Sequence, residues 1–199
     1  MAVSMSVTKT VSLGGKSFNE SKTISGEALL VHELSVSAGE SGDLTTRTDA
    51  DTGVVTLDDS GHAFVTGDKA DVYWTAGCRR GMEVTVTGNE ITVDGGEGDD
   101  LPSQDTEVTL CEPDELDITV DGDNVVGFVF QTAARGAFTL WDAGGLEFSR
   151  EVGAGCNYIW HNVDGTPNPI EGDSIIKVRV SNGSTAAATM KVGFVYNNG

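Results

Sequence analysis

Apolar residues in this chain recur at every second position, segment after segment, and almost nowhere at helical spacing. Val3, Met5 and Val7, then Leu30, His32, Leu34 and Val36, then Met82, Val84 and Val86, then Val178 and Val180 follow this rule. It is the pattern of a strand with one buried face. Turn formers separate the segments: Gly14-Gly15, Asp51-Thr52-Gly53, Ser60-Gly61, Thr87-Gly88-Asn89, Asp121-Gly122-Asp123-Asn124, Gly144-Gly145 and Asn182-Gly183-Ser184. Such residues supply the backbone conformations that tight hairpins need. No long window sustains an i, i+3, i+4, i+7 apolar face; Ser25 to Leu34 comes closest and is broken by Gly26. The expectation is an all-β chain, an antiparallel β-sandwich of jelly-roll-like kind in two β lobes.

Charge divides the chain. Between Glu40 and Asp123 lie 22 of the 31 acidic residues and only 4 of the 12 basic ones, so this stretch holds 18 of the 19 net negative charges. From Asn124 onward, six acids face five bases and 9 of the 13 aromatic residues are gathered. Aromatic side chains dominate packing energy, so the stronger core is expected in the C-terminal part. The division that follows is an N-terminal β arm at 1–19, an acidic β domain at 20–111, a linker at 112–123 and an aromatic-rich β-sandwich domain at 124–199. The arm has Lys9 and Lys16 and no acid. It can pair with the acidic body of another copy or within its own chain, where Gly14-Gly15 would act as a hinge.

The acidic middle repels nucleic acid and anionic lipid, so neither is expected as a partner. The longest uncharged apolar run, near Ala186 to Ala188, is far short of the roughly 20 residues of a membrane helix; no membrane span is expected. Met1 to Leu13 lacks the compact apolar stretch of a secretory signal, and Cys78, Cys111 and Cys156 are too few for a disulfide framework. They are expected as reduced thiols, mostly buried.

Chemical constellations are sparse. Gly95-Gly96-Glu97-Gly98-Asp99-Asp100 matches one copy of a glycine-rich calcium-binding pattern, which makes Asp94, Asp99 and Asp100 the candidate calcium ligands; the competing reading is a solvated acidic loop. Calcium needs six to eight oxygens, and no second copy of the pattern exists. No cofactor is otherwise expected. His32, His62 and His161 are not at metal-ligand spacing, and His32 is in phase with Leu30, Leu34 and Val36 as a core or interface residue. Cys156 and His161 are a thiol and an imidazole five apart, but the ordinary reading of Cys156 is a buried cysteine beside a packed aromatic. Arg79-Arg80, next to Tyr73, Trp74 and Gly77, can grip a carboxylate or contact an acidic patch of a neighbouring copy; the plainer reading is a solvated turn. No nucleophile elbow or phosphate loop occurs, so no catalytic residue is assigned and the chain is expected not to be an enzyme.

In its β-rich character, short hairpins, missing export signal and split charge, the whole chain resembles the small virion proteins of tailed bacteriophages, such as capsid (head) decoration proteins and tail components. The resemblance rests on no diagnostic motif. It implies a structural protein that self-assembles as a homo-oligomer with other virion proteins, made in the host cytoplasm and located in the virion. The alternative is a carbohydrate- or calcium-binding β-sandwich of an adhesin or surface layer, with Trp74, Trp141 or Trp160 as a stacking platform.

Overall fold

A computed structural model describes residues 4–13, 16–25, 27–119, 124–142, 145–162, 167–168, 170 and 175–197. The chain is all-β, and its strands form antiparallel sheets throughout. Among the described residues there is no α-helix, and so no helix long and apolar enough to cross a membrane.

The acidic segment supplies β4 (Glu40–Arg47), β5 (Thr52–Leu57), β6 (Lys69–Trp74), β7 (Gly77–Thr87), β8 (Glu90–Asp94), the short β9 (Glu97–Gly98) and β10 (Thr106–Cys111). Their neighbours run β6-β10-β4-β5-β8-β7, and β7 pairs again with β6. The sheet therefore closes on itself as a six-stranded barrel, with β9 added beside β7. Consecutive hairpins join β6, β7 and β8, while β5 lies beside β8 after a longer connection, a Greek-key arrangement. Alternation explains the closure. Met82 and Val84 are buried while Glu83 and Thr85 are exposed, and Leu44, Val55, Leu57, Val72, Ile91, Val93, Val108 and Leu110 fill the same interior. A closed barrel has no free edge, and its acids occupy the outward positions.

The C-terminal lobe is a sandwich of two four-stranded sheets. One has the order β11-β16-β13-β14, formed by β11 (Asp114–Thr119), β16 (Ile175–Asn182), β13 (Gly136–Asp142) and β14 (Gly145–Val152). The other has the order β15-β12-β17-β3, formed by β15 (Asn157–His161), β12 (Val125–Thr132), β17 (Ala188–Asn197) and β3 (Glu27–Val36). Phe138 is fully buried at the centre, with ring centroids of Phe130 at 4.9 Å, Phe128 at 5.0 Å, Tyr158 at 5.4 Å and Phe148 at 5.7 Å. Tilted aromatic pairs at these distances each add about 0.5–1.5 kcal/mol beyond area burial.

Two segments sit differently from the composition-based division. Residues 27–36 leave the acidic domain and form the edge strand β3 along β17. Residues 112–123 contain β11, which pairs along β16. Leu116 and Ile118 turn to the core, while Glu115 and Asp117 take the alternate positions, in register with Arg179 and Lys177, and Glu115 forms an exposed ion pair of 3.5 Å with Lys177. The remaining strands, β1 (Ser4–Leu13) and β2 (Lys16–Ser25), form a two-stranded sheet of their own. The arm thus pairs with the next segment of its own chain over residues 4–25. Gly14-Gly15 lies outside the described residues.

The chain passes between the lobes after β3 and again between β10 and β11. There the lobes are locked by a buried polar junction. Asp71 on β6 accepts from the backbone N–H of Gly81 at 2.7 Å and from Arg179 Nη2 at 3.0 Å; the Asp71 and Arg179 side chains are 5% and 12% exposed. The Tyr73 and Ser181 hydroxyls share a hydrogen bond of 2.6 Å, and Arg135 donates to the carbonyls of Trp74 and Gly77. Gly183 lies flat under the Tyr73 ring, where a Cβ would come within 2.5 Å of it. Gly81 has φ +69° and sits where the β6–β7 register shifts, a bulge that turns its N–H toward Asp71.

Removing one partner of such a buried pair costs about 3–5 kcal/mol because the other charge is stranded. Asp71→Ala is expected to lower unfolding free energy by about that amount in denaturant titration, and the double variant Asp71→Ala/Arg179→Met to recover part of it.

Candidate functional site

Successive residues of a strand point to opposite faces, and β7 uses this to separate its two arginines. Arg79 lies opposite Val72, a barrel-core position, and is turned into the 95–99 loop. It donates to the carbonyl of Gly95 at 3.1 Å, of Gly98 at 3.2 Å and of Asp99 at 3.4 Å, and pairs with Asp51 Oδ1. These are the backbone oxygens that a calcium ion would need. The loop already holds a cation, supplied covalently by its own lobe. Asp94 accepts from Thr52 Oγ1 at 2.9 Å, Asp99 lies beside Gly77 and Asp100 is exposed. The structure does not gather them: among the described residues no three His, Cys, Asp or Glu side chains are placed to share a metal. Nor is Arg79 in a solvated turn, since its side chain is 11% exposed.

Arg80 shares the other face with Cys78 and faces the seam. A cleft of about 280 Å³ opens there, lined by Arg80, Gly81, Gly96 and Glu97 from the barrel and by Thr139, Trp141, Ser149 and Arg179 from the sandwich. A second depression of about 260 Å³ shares Arg80 and Ser149 and adds Arg150 and Glu151. Three nitrogens in this region are buried and make no hydrogen bond: Nε and Nη1 of Arg80 and Nε of Arg179. The Thr139 and Ser149 hydroxyls lie 3.2 Å apart, and Lys177 Nζ is 5.8 Å from the Trp141 ring centroid.

No family model matches this chain, and no curated protein does. What the cleft can do is therefore read from its own side chains. It offers hydrogen-bond donors, two guanidinium groups and one half-buried indole. Of the other tryptophans, Trp160 is buried and offers no platform, while Trp74 is half-buried and packed against the barrel core.

The remaining reactive residues stand apart. Cys156, expected to be buried, is exposed in the turn closed by its N–H to Gly153 O at 3.0 Å. It precedes the first residue of β15, and His161 is the last. Five residues of strand at about 3.3 Å each put them at opposite ends, too far apart to act as a pair. His32 is half-buried on β3, in phase with Leu34 and Val36, as its pattern suggests. His62 Nε2 meets Gly88 O at 2.9 Å. Asn182, in the turn Asn182-Gly183-Ser184, is fully buried, its amide donating to Ser37 O and Ala186 O.

Burial, with a contribution from the Glu151 carboxylate, pushes the Cys78 thiol up to about 12. Burial and the Asp71 charge also push Cys111 well above the usual thiol range. Because the thiolate is the reactive form, a thiol reagent at neutral pH is expected to modify Cys156 alone in the native protein and all three cysteines after denaturation, counted by mass spectrometry.

Because Arg79 fills the 95–99 loop and net charge is concentrated in one lobe, melting temperature is expected to rise with monovalent salt through screening over a Debye length of about 10 Å at 0.1 M. Sub-millimolar calcium is expected to add nothing beyond sodium at equal ionic strength. A calcium-specific increase in a thermal melt would restore the metal reading of Asp94, Asp99 and Asp100.

Proposed function

We propose that the protein is a non-enzymatic structural protein that acts by self-assembly, in the manner of a bacteriophage virion component such as a capsid decoration or tail protein. The observation that carries this reading is the N-terminal hairpin, a sheet of two strands only. A lone hairpin is marginally stable in water at best, so a surface that covers it would stabilise it. Its register sets Met5 opposite Ile24, Val7 opposite Lys22 and Val11 opposite Phe18, while the alternate positions are all Ser, Thr or Asn. Apolar residues, the three lysines and Glu20 thus share one parity of the register, and the other parity is polar and uncharged. Residues 4–25 contain three lysines and a single glutamate, opposite in sign to the body of a second copy. Complementary charge steers such encounters, and exchange of a terminal element is a low-cost route to oligomers.

A second reading, a carbohydrate-binding protein of a surface layer or adhesin, is favoured by one observation, the half-buried Trp141 at the cleft.

Deletion of residues 1–25 is expected to leave the body folded, with unchanged near-ultraviolet circular dichroism, and to abolish the oligomer in sedimentation velocity. A truncated protein that sediments as the full chain does would remove the hairpin from assembly.

A further inference from the structure

The sandwich ends on four edge strands, and one of them is unguarded. β15 is five residues long and β11 six, and the pairing of β14 is broken by a register shift; short or bulged edges resist a further strand. β3 is different. Its ten residues run beside β17 in unbroken register, from Glu27 opposite Asn197 to Val36 opposite Ala188, and among the described residues no strand pairs with its other side. It holds neither proline nor lysine, two common edge guards, and Val31 at its middle is 48% exposed. A long, unbulged, largely apolar edge of this kind is a template for another strand.

The chain's own hairpin cannot fill it. One residue, Gly26, separates Ser25 at the end of β2 from Glu27 at the start of β3. Common hairpin loops have two residues or more, so β2 cannot fold back beside β3. Nor can β1 be inserted between them. That would set Ser25 and Glu27 about 9.6 Å apart, across two strand spacings, whereas two Cα steps reach about 7.6 Å at most. The hairpin of a second copy is under no such limit.

That hairpin also fits. β1 and β2 have ten residues each, as β3 does, and their two-stranded sheet has open edges of its own. The hairpin brings three lysines and one glutamate, while β3 carries Glu27 and Glu33 and no lysine or arginine, so the encounter is attractive.

We propose that β3 receives the N-terminal hairpin of a second copy edge-on, main chain to main chain, extending the four-stranded sheet to six strands. This rests on the assembly reading and gives it a docking surface.

Hydrogen exchange read by mass spectrometry on the full chain, beside sedimentation velocity, tests it. At concentrations where the chain is oligomeric, amides of residues 27–36 are expected to exchange about tenfold or more slowly than in the dilute monomer, as new main-chain hydrogen bonds imply. Val31→Lys sets a charge on the edge that discourages pairing and meets the hairpin's lysines. It is expected to weaken assembly about tenfold or more with an unchanged melting temperature. A folded Val31→Lys protein that assembles as the parent does overturns the docking surface. So does an oligomer that forms without slowing at 27–36; the hairpin keeps its role in assembly in that case if deletion of residues 1–25 still abolishes the oligomer. Slowing that persists in an oligomer of the truncated chain points to β3 pairing with β3, and it removes the docking surface and the hairpin's role together, as does a full chain that stays monomeric at every concentration.

Discussion

The buried Asp71 carboxylate ties the two lobes together at the seam, where the barrel and the sandwich both supply its partners. A charge removed from water must be matched by geometry, and Asp71 is matched from both sides: the Gly81 N–H belongs to its own barrel, the Arg179 guanidinium to the sandwich. Around it the Tyr73 ring leans on Gly183 and its hydroxyl meets Ser181. Burial holds the Tyr73 phenol well above its ordinary range, with the Cys111 and Asp71 charges adding to the effect, so it stays a neutral hydrogen-bonding group. These contacts are directional. An apolar seam would leave the lobes free to slide, whereas an ion pair with a shared bulge fixes one arrangement.

The same junction shows how so acidic a lobe is accommodated. The barrel segment from Glu40 to Cys111 has only four bases, and one of them, Arg79, is spent inside its own loop. The sandwich supplies others: Arg179 reaches Asp71, and Arg135 spans from Glu151 to the carbonyls of Trp74 and Gly77 while stacking 5.3 Å from the Tyr73 ring. Near-neutrality of the C-terminal half is thus a local balance in which bases are directed at the seam. The barrel's remaining acids face outward, where water and salt screen them.

Strand identity was legible because alternation is a local property; Met82, Val84 and their exposed neighbours need no knowledge of the partner strand. Barrel closure was not, since it depends on β6 meeting β7 and β10 at once, and pairing between distant strands leaves no mark in either segment alone. Composition misplaced residues 112–123 for a related reason: the acids of β11 resemble a solvated linker until Lys177 and Arg179 appear opposite them. Cys156 shows the converse error, where proximity in sequence to Trp160 suggested a shared core although Cys156 lies in the exposed turn before β15 and Trp160 near the far end of that strand.

Arg79 and Arg80 carry the most general lesson. As an adjacent pair in an acidic chain they suggest one basic patch facing one partner. Once the segment is known to be a strand, that reading is excluded, because adjacent residues cannot share a face. One arginine must turn toward the barrel and its end loop, the other outward. The first donates to the carbonyl oxygens of Gly95, Gly98 and Asp99 in that loop. The second, in phase with Cys78, arrives at the seam, where its Nε and Nη1 are buried without a hydrogen-bond partner. The two side chains thus part to opposite faces, and the division follows from the period of the strand.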